Sequence, residues 1–195
     1  MVVYENASTS SNATVAYRTW NGAVWSPEST WTYPATANGE IRFVRMAPRP
    51  GTDDILTVIS DNNSDIKVGL WDGDAFDTNN DQEISTGLST AAHRPWDLAW
   101  ESNGNTALIV YGTGTVLDYC THNGTTCTDQ DPTTTGLTTI GAVAAMWLEL
   151  DADKDSDYIA LLVSNTQTSR DLYMDLWDGT DWDTAATEPS AESAI

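Results

Sequence analysis

Four short strings in this chain are variants of one another: WNGAVW at Trp20–Trp25, WDGDAF at Trp71–Phe76, HNGTTC at His122–Cys127 and WDGTDW at Trp177–Trp182. Their starts at 20, 71, 122 and 177 are separated by 51, 51 and 55 residues. A period of this length means one supersecondary unit is repeated, and a unit that cannot bury its apolar faces alone must stack on its neighbours. Each string holds Asn-Gly or Asp-Gly, which favours positive φ and is read as the two-residue turn of a β-hairpin. In three copies an aromatic flanks the turn on either side, where cross-strand neighbours cover one another.

A short apolar run precedes each hairpin: Met1–Tyr4, Ile55–Ile59, Ala107–Tyr111 and Ile159–Val163. Bounded by Asn, Asp, Ser and Gly, these runs read as strands buried on both faces. The segment entering the hairpin alternates instead: Ile66, Val68 and Leu70 against Lys67, Gly69 and Trp71, and Leu172, Met174 and Leu176 against Tyr173, Asp175 and Trp177. Period two is the signature of a strand, and no segment shows comparable helical periodicity. A third element comes earlier, at Arg42–Ala47, Trp96–Glu101 and Met146–Leu150.

Four antiparallel strands in about 50 residues describe one propeller blade. The expected fold is therefore all-β: a four-bladed β-propeller forming a single domain over 1–195. Blade 1 is partial at 1–30, blade 2 spans 41–80, blade 3 95–131 and blade 4 143–185, with a tail over 186–195. A β-sandwich is the alternative, since it also uses short strands with regularly spaced turns. Blade 1 begins on its second strand and so lacks the innermost one. An unpaired edge templates pairing with another chain. The tail through Ser190–Ile195, a strand from a neighbouring subunit, or further sequence could fill it, and a head-to-tail contact that does not close makes filaments.

Composition narrows the partners. With 29 acidic residues against eight basic ones, the formal charge is −21. Such a surface repels phosphate backbones and anionic lipid, which argues against nucleic acid and membrane surfaces. No apolar run approaches the ~20 residues that span a bilayer, and Met1–Glu5 lacks the basic start and apolar middle of a signal peptide. Cys120 and Cys127 flank the third turn. A two-residue loop would place them directly opposite, within disulfide range, and so in an oxidising, extracellular compartment.

Candidate ligands for a cation are Asp151, Asp153, Asp155 and Asp157, and a second acidic loop carries Asp77, Asn79, Asp81 and Glu83. Oxygens at alternate positions can converge on calcium, although neither loop has the glycine of a full EF-hand. Catalysis finds little support. His122 occupies a Trp-equivalent position and His93 has no partner by spacing. Arg42, Arg45, Asp97, Glu101 and Glu149 lie on the innermost strands. Two carboxylates there could hydrolyse a glycoside, but the arginines suit ion pairing between blades better.

The units YRTWNGAVW and VGLWDGDAF resemble tandem Trp-rich repeats of bacterial cell-surface and secreted proteins, and distantly the blades of propeller lectins. The first resemblance implies an extracellular, propeller-like module with structural or adhesive duty; the open blade 1 makes other copies of itself the expected partner, and the residues point to no enzyme and no cofactor. The second implies a carbohydrate-binding protein of cell-surface glycans using Trp20, Trp25, Trp71, Trp177 and Trp182, with blade 3 departing from the aromatic pattern at His122 and Cys127.

Overall fold

The structure is a computed structural model, and it describes residues 1–6, 14–31, 40–130, 137, 140, 143–166 and 171–183. Among the described residues, fourteen strands form four antiparallel sheets. Sheet 1 orders β1 (Val2–Asn6), β2 (Thr14–Arg18) and β3 (Ser29–Trp31). Sheet 2 orders β4 (Ile41–Pro48), β5 (Ile55–Asp61), β6 (Ile66–Trp71) and β7 (Gln82–Ser85). Sheet 3 orders β8 (Trp96–Trp100), β9 (Ala107–Thr113), β10 (Val116–His122) and β11 (Cys127–Gln130). Sheet 4 orders β12 (Ala145–Ala152), β13 (Ile159–Asn165) and β14 (Leu172–Trp177). The repeat read from the sequence is thus a repeat of whole sheets, each a meander, and the two-sheet sandwich is not what forms. The candidate closing strand Ser190–Ile195 lies outside the described residues.

Registers make the sheets superimposable. Ile55 pairs with Trp71, Ala107 with His122 and Ile159 with Trp177. Each sheet has two faces of alternating residues. The back face, which turns towards the preceding sheet, carries the first aromatic of each hairpin. The front face, towards the following sheet, carries the residue three positions earlier: Tyr17, Val68, Tyr119 and Met174.

Three cores fill the three gaps between successive sheets. The first joins Val15 and Trp31 to Ile41, Ile59, Trp71 and Phe76. The second joins Leu56, Val58, Ile66 and Val68 to Trp96, Leu98, Ile109 and Cys120. The third joins Leu108, Val110, Leu117 and Tyr119 to Leu148, Leu161, Val163, Trp177 and Trp182. Sheets 2 and 3 are covered on both faces, so β5 and β6 are buried almost throughout. Sheet 4 is covered on its back alone, and β14 alternates exposed and buried along its whole length. This corrects the expectation of strands buried on both faces: β13 repeats the pattern of β5, yet it alternates because no sheet lies in front of it. A four-bladed ring would need a fourth core between sheets 4 and 1. Among the described residues, the four sheets are not closed on one another.

The turns also differ from expectation. Each hairpin loop has four residues rather than two. Trp20 bridges Trp25, Trp71 bridges Phe76, and Trp177 bridges Trp182, while His122 pairs with Cys127. Asn21, Asp72, Asn123 and Asp178 each accept from the backbone N–H groups two and three residues on, at 2.8–3.0 Å. The following glycines sit at φ +97°, +98°, +93° and +98°, a conformation that costs other residues a Cβ clash. The Asx-Gly signal was legible. The side-chain oxygen that lengthens the loop competes with the backbone for those donors.

Candidate functional site

The longer loop changes how the cysteines meet. Cys120 pairs across the strands with Asp129, and Cys127 with His122, so the two cysteines are diagonal rather than opposite. They are nevertheless joined by a disulfide, with Cα atoms 5.6 Å apart. Cys120 packs into the core between sheets 2 and 3. Gln82 on sheet 2 accepts from the Cys127 N–H at 2.5 Å and donates to its carbonyl at 3.3 Å. The bridge therefore holds the hairpin to the neighbouring sheet as well as to its own strand.

The innermost strands bring their charges together. Asp97, fully buried on β8, accepts from Arg45 Nε of β4 at 2.9 Å. It also pairs with Arg94 Nη1 at 2.6 Å and accepts the Leu150 N–H of β12 at 2.9 Å. Arg94 reaches Glu149 at 2.5 Å and Arg45 reaches it at 3.5 Å. Two cations and two anions thus tie three sheets together, with Arg94 also over the Trp147 ring at 4.8 Å. Both carboxylates are thus engaged in holding the inner strands together. Arg42 stands apart at a bulge in β4 and pairs with Glu40 at 3.3 Å. Glu101 accepts the indole N–H of Trp177 at 2.9 Å, and burial raises its pKa above the ordinary value. Arg94, which completes this cluster, lay in a connector and carried no sequence signal.

His122 is fully buried, and its Nδ1 accepts the Gly124 N–H at 3.1 Å. Burial, with the Arg49 charge nearby, lowers its pKa to about 4. It stands edge-on to Trp100 with centroids 6.1 Å apart, so it packs as a Trp surrogate. His93 is exposed in the connector before β8.

Neither acidic loop forms a ligand cluster. Asp153 accepts the Asp155 N–H and the Ser156 hydroxyl, while Asp157 turns to Ser102 and Asn103 of sheet 3. Asp151 is exposed on β12, and Asp155 pairs with Lys154. In the other loop Asp77 binds Asn79 and Asn80, Asp81 binds Trp31, and Glu83 pairs with buried Lys67 at 3.0 Å. Among the described residues, no three acidic, His or Cys side chains converge as metal ligands.

The five tryptophans divide sharply. Trp71 (6% exposed), Trp177 (4%) and Trp182 (2%) are spent on contacts between sheets, whereas Trp20 (48%) and Trp25 (47%) stand open at the back of sheet 1. Trp182 also borders a cavity of about 430 Å³, lined with Tyr158, Leu176, Asp178 and Asp183. The β12–β13 turn supplies Tyr158, and the hairpin with the strand end supplies the rest. Asp178 uses one oxygen to hold its turn, and those backbone bonds lower its pKa, so it remains an anion and an acceptor. Carboxylate acceptors beside a phenol ring and an aliphatic wall suit a small, neutral, hydroxyl-bearing ligand. Only Trp182 of these five was a sequence candidate. The others come from the β12–β13 turn and from the end of β14 with its hairpin, which nothing in their spacing joins.

Comparison with known proteins places this geometry. No protein-family model and no curated protein matches the chain. Among solved structures it is similar to a fungal lectin from Aleuria aurantia, a six-bladed β-propeller with a novel mode of fucose recognition. The TM-score is 0.53 at 13% identity, over 96% of this chain and 57% of that one. It is likewise similar to a variant of the same lectin in complex with Fucα1-6GlcNAc, with TM-score 0.50, 13% identity, 96% of this chain and 58% of that one. The chain thus has a propeller-like all-β fold and spans little more than half the length of these lectins. The bacterial cell-surface repeats find no counterpart among these matches.

Proposed function

We propose that this chain is a carbohydrate-binding domain of propeller-lectin type, acting outside the cell and without catalysis. The observation that carries the reading is the cavity beside the fourth hairpin, which Tyr158, Leu176 and Trp182 line together with the carboxylates Asp178 and Asp183. Sugars present an apolar face for stacking and hydroxyl donors for carboxylates, so this set matches a monosaccharide end group. The fold likeness to fucose-binding lectins makes fucosylated glycans the first to try. A chain of charge −21 selects neutral over acidic sugars. The disulfide suits an oxidising, extracellular compartment. Among the innermost charges, Asp97 and Glu149 are bound to Arg45 and Arg94, which favours a role in holding the strands together over glycoside hydrolysis.

A glycan array probed with the wild-type chain and with Tyr158→Ala tests this reading. Tyr158 is 46% exposed, so its truncation leaves the core intact. The expected result is a set of neutral, terminal-sugar hits that Tyr158→Ala weakens by about two- to tenfold, the worth of one aromatic stacking contact. An array without hits, or hits indifferent to Tyr158, would overturn it.

A further inference from the structure

In two of the three cores the same clamp recurs. The hairpin aromatics of one sheet close over the front residue of the sheet before it. Tyr17 lies 5.2 Å from Trp71 and 5.3 Å from Phe76, ring centroid to centroid. Tyr119 lies 6.0 Å from Trp177 and 5.6 Å from Trp182. The paired registers make Met174 the counterpart of Tyr17 and Tyr119 on sheet 4, and Trp20 with Trp25 the counterpart of the clamps on sheet 1.

Both halves of that clamp are open. Met174 is 53% exposed, and its front-face neighbours Leu162, Leu172 and Leu176 are 42%, 48% and 37% exposed. The counterparts of Leu162 and Leu172 in sheets 2 and 3 (Val58, Val110, Ile66, Leu117) are all at or near zero. At the other end Trp20 and Trp25 stand 5.4 Å apart, each about half exposed, and Val2 and Val24 beside them are also exposed. A contiguous apolar face of this kind marks an interaction surface.

We infer that the front of sheet 4 receives the back of sheet 1 from a second copy of this chain, with Met174 of one copy seated against Trp20 and Trp25 of the next. The occupant is argued from continuity. The contact would be a fourth instance of an interface the molecule already makes, between surfaces that its repeat renders equivalent. A thioether is well matched to two indole rings, since sulfur packs favourably at aromatic edges. The contact is heterologous, so it propagates head to tail. The inference does not rest on the sugar reading.

Sedimentation velocity over a range of concentrations tests it, with Met174→Lys to spoil the front and the double variant Trp20→Ala, Trp25→Ala to spoil the back. All three positions are about half exposed, so each variant keeps its fold, which circular dichroism verifies. The wild type should associate with concentration, and more strongly in salt, which screens repulsion between acidic copies. Each variant alone should be monomeric, and the two mixed should form a dimer that grows no further, since one intact front meets one intact back. A wild type that stays monomeric throughout would overturn the inference. So would an association that salt dissolves, or one that Met174→Lys abolishes and the tryptophan variant leaves untouched, which would mean two fronts pairing with each other.

Discussion

Trp31 donates its indole N–H to both carboxylate oxygens of Asp81, at 3.1 and 3.0 Å, and so fastens the last strand of sheet 1 to the loop that precedes β7. Burial outweighs this hydrogen bond and, with Asp77 nearby, raises the Asp81 pKa to about 6. The folded state therefore holds this proton more tightly than the unfolded chain. The resulting stabilisation is full below about pH 4 and is lost as pH rises through 6. Asp81→Asn keeps an acceptor for Trp31 and removes the charge. The variant should gain stability over the wild type near pH 7 and lose that advantage towards pH 4, as read from urea midpoints.

His122 acts with the opposite sign in the same window. Its folded pKa of about 4 lies below the ordinary imidazole value, so its contribution is full above pH 6.5 and is lost as pH falls through 4. His122→Phe should flatten the acid limb of the stability profile. A limb unchanged by this substitution would show that His122 is not buried as a neutral ring.

Asp97 is the fully buried centre of the charge cluster, and removing it takes from buried Arg94 its buried partner, leaves Glu149 as the remaining carboxylate for Arg94 and Arg45, and leaves the Leu150 N–H without its acceptor. Breaking a buried pair from one side costs about 3–5 kcal/mol. Asp97→Ala should lower the denaturation midpoint accordingly, and an effect below about 1 kcal/mol would mean that the three inner strands are held by apolar contacts alone.

The disulfide closes a ring of eight residues, for which chain entropy gives about 2.5 kcal/mol. Because Cys127 also meets Gln82 on sheet 2, reduction should loosen that sheet contact too. Amide exchange should accelerate at Gln82 and Cys127 together on reduction.

Gly69 on β6 approaches the Trp31 ring so closely that a methyl group there would overlap it. Gly69→Ala should cost about 1–3 kcal/mol through overpacking, detectable as a fall in Tm.

How much of this could be read from residues alone follows from range. Strand identity and order were legible, because period two and the Asx-Gly strings are local signals. The four-residue loops were not, since Asn21 and its equivalents trade the tighter turn for side-chain hydrogen bonds. Nor was the difference between β5 and β13: both are apolar runs, and only the presence of a following sheet decides whether Leu162 is buried like Val58. The ion pairs of Arg45 were expected from charge inventory, whereas Arg94 was invisible in its connector. The cavity escaped notice because Tyr158 and Asp183 belong to different turns, joined only by the fold.

The sugar-binding reading stands or falls with the cavity at Tyr158 and Trp182. Proton NMR of the chain, followed while fucose and other neutral monosaccharides are added, observes that cavity directly. The Tyr158 ring and Trp182 indole resonances should shift together and saturate for at least one sugar, with Trp20 and Trp25 unmoved. If every sugar leaves the Tyr158 and Trp182 signals in place, carbohydrate recognition at this site is contradicted.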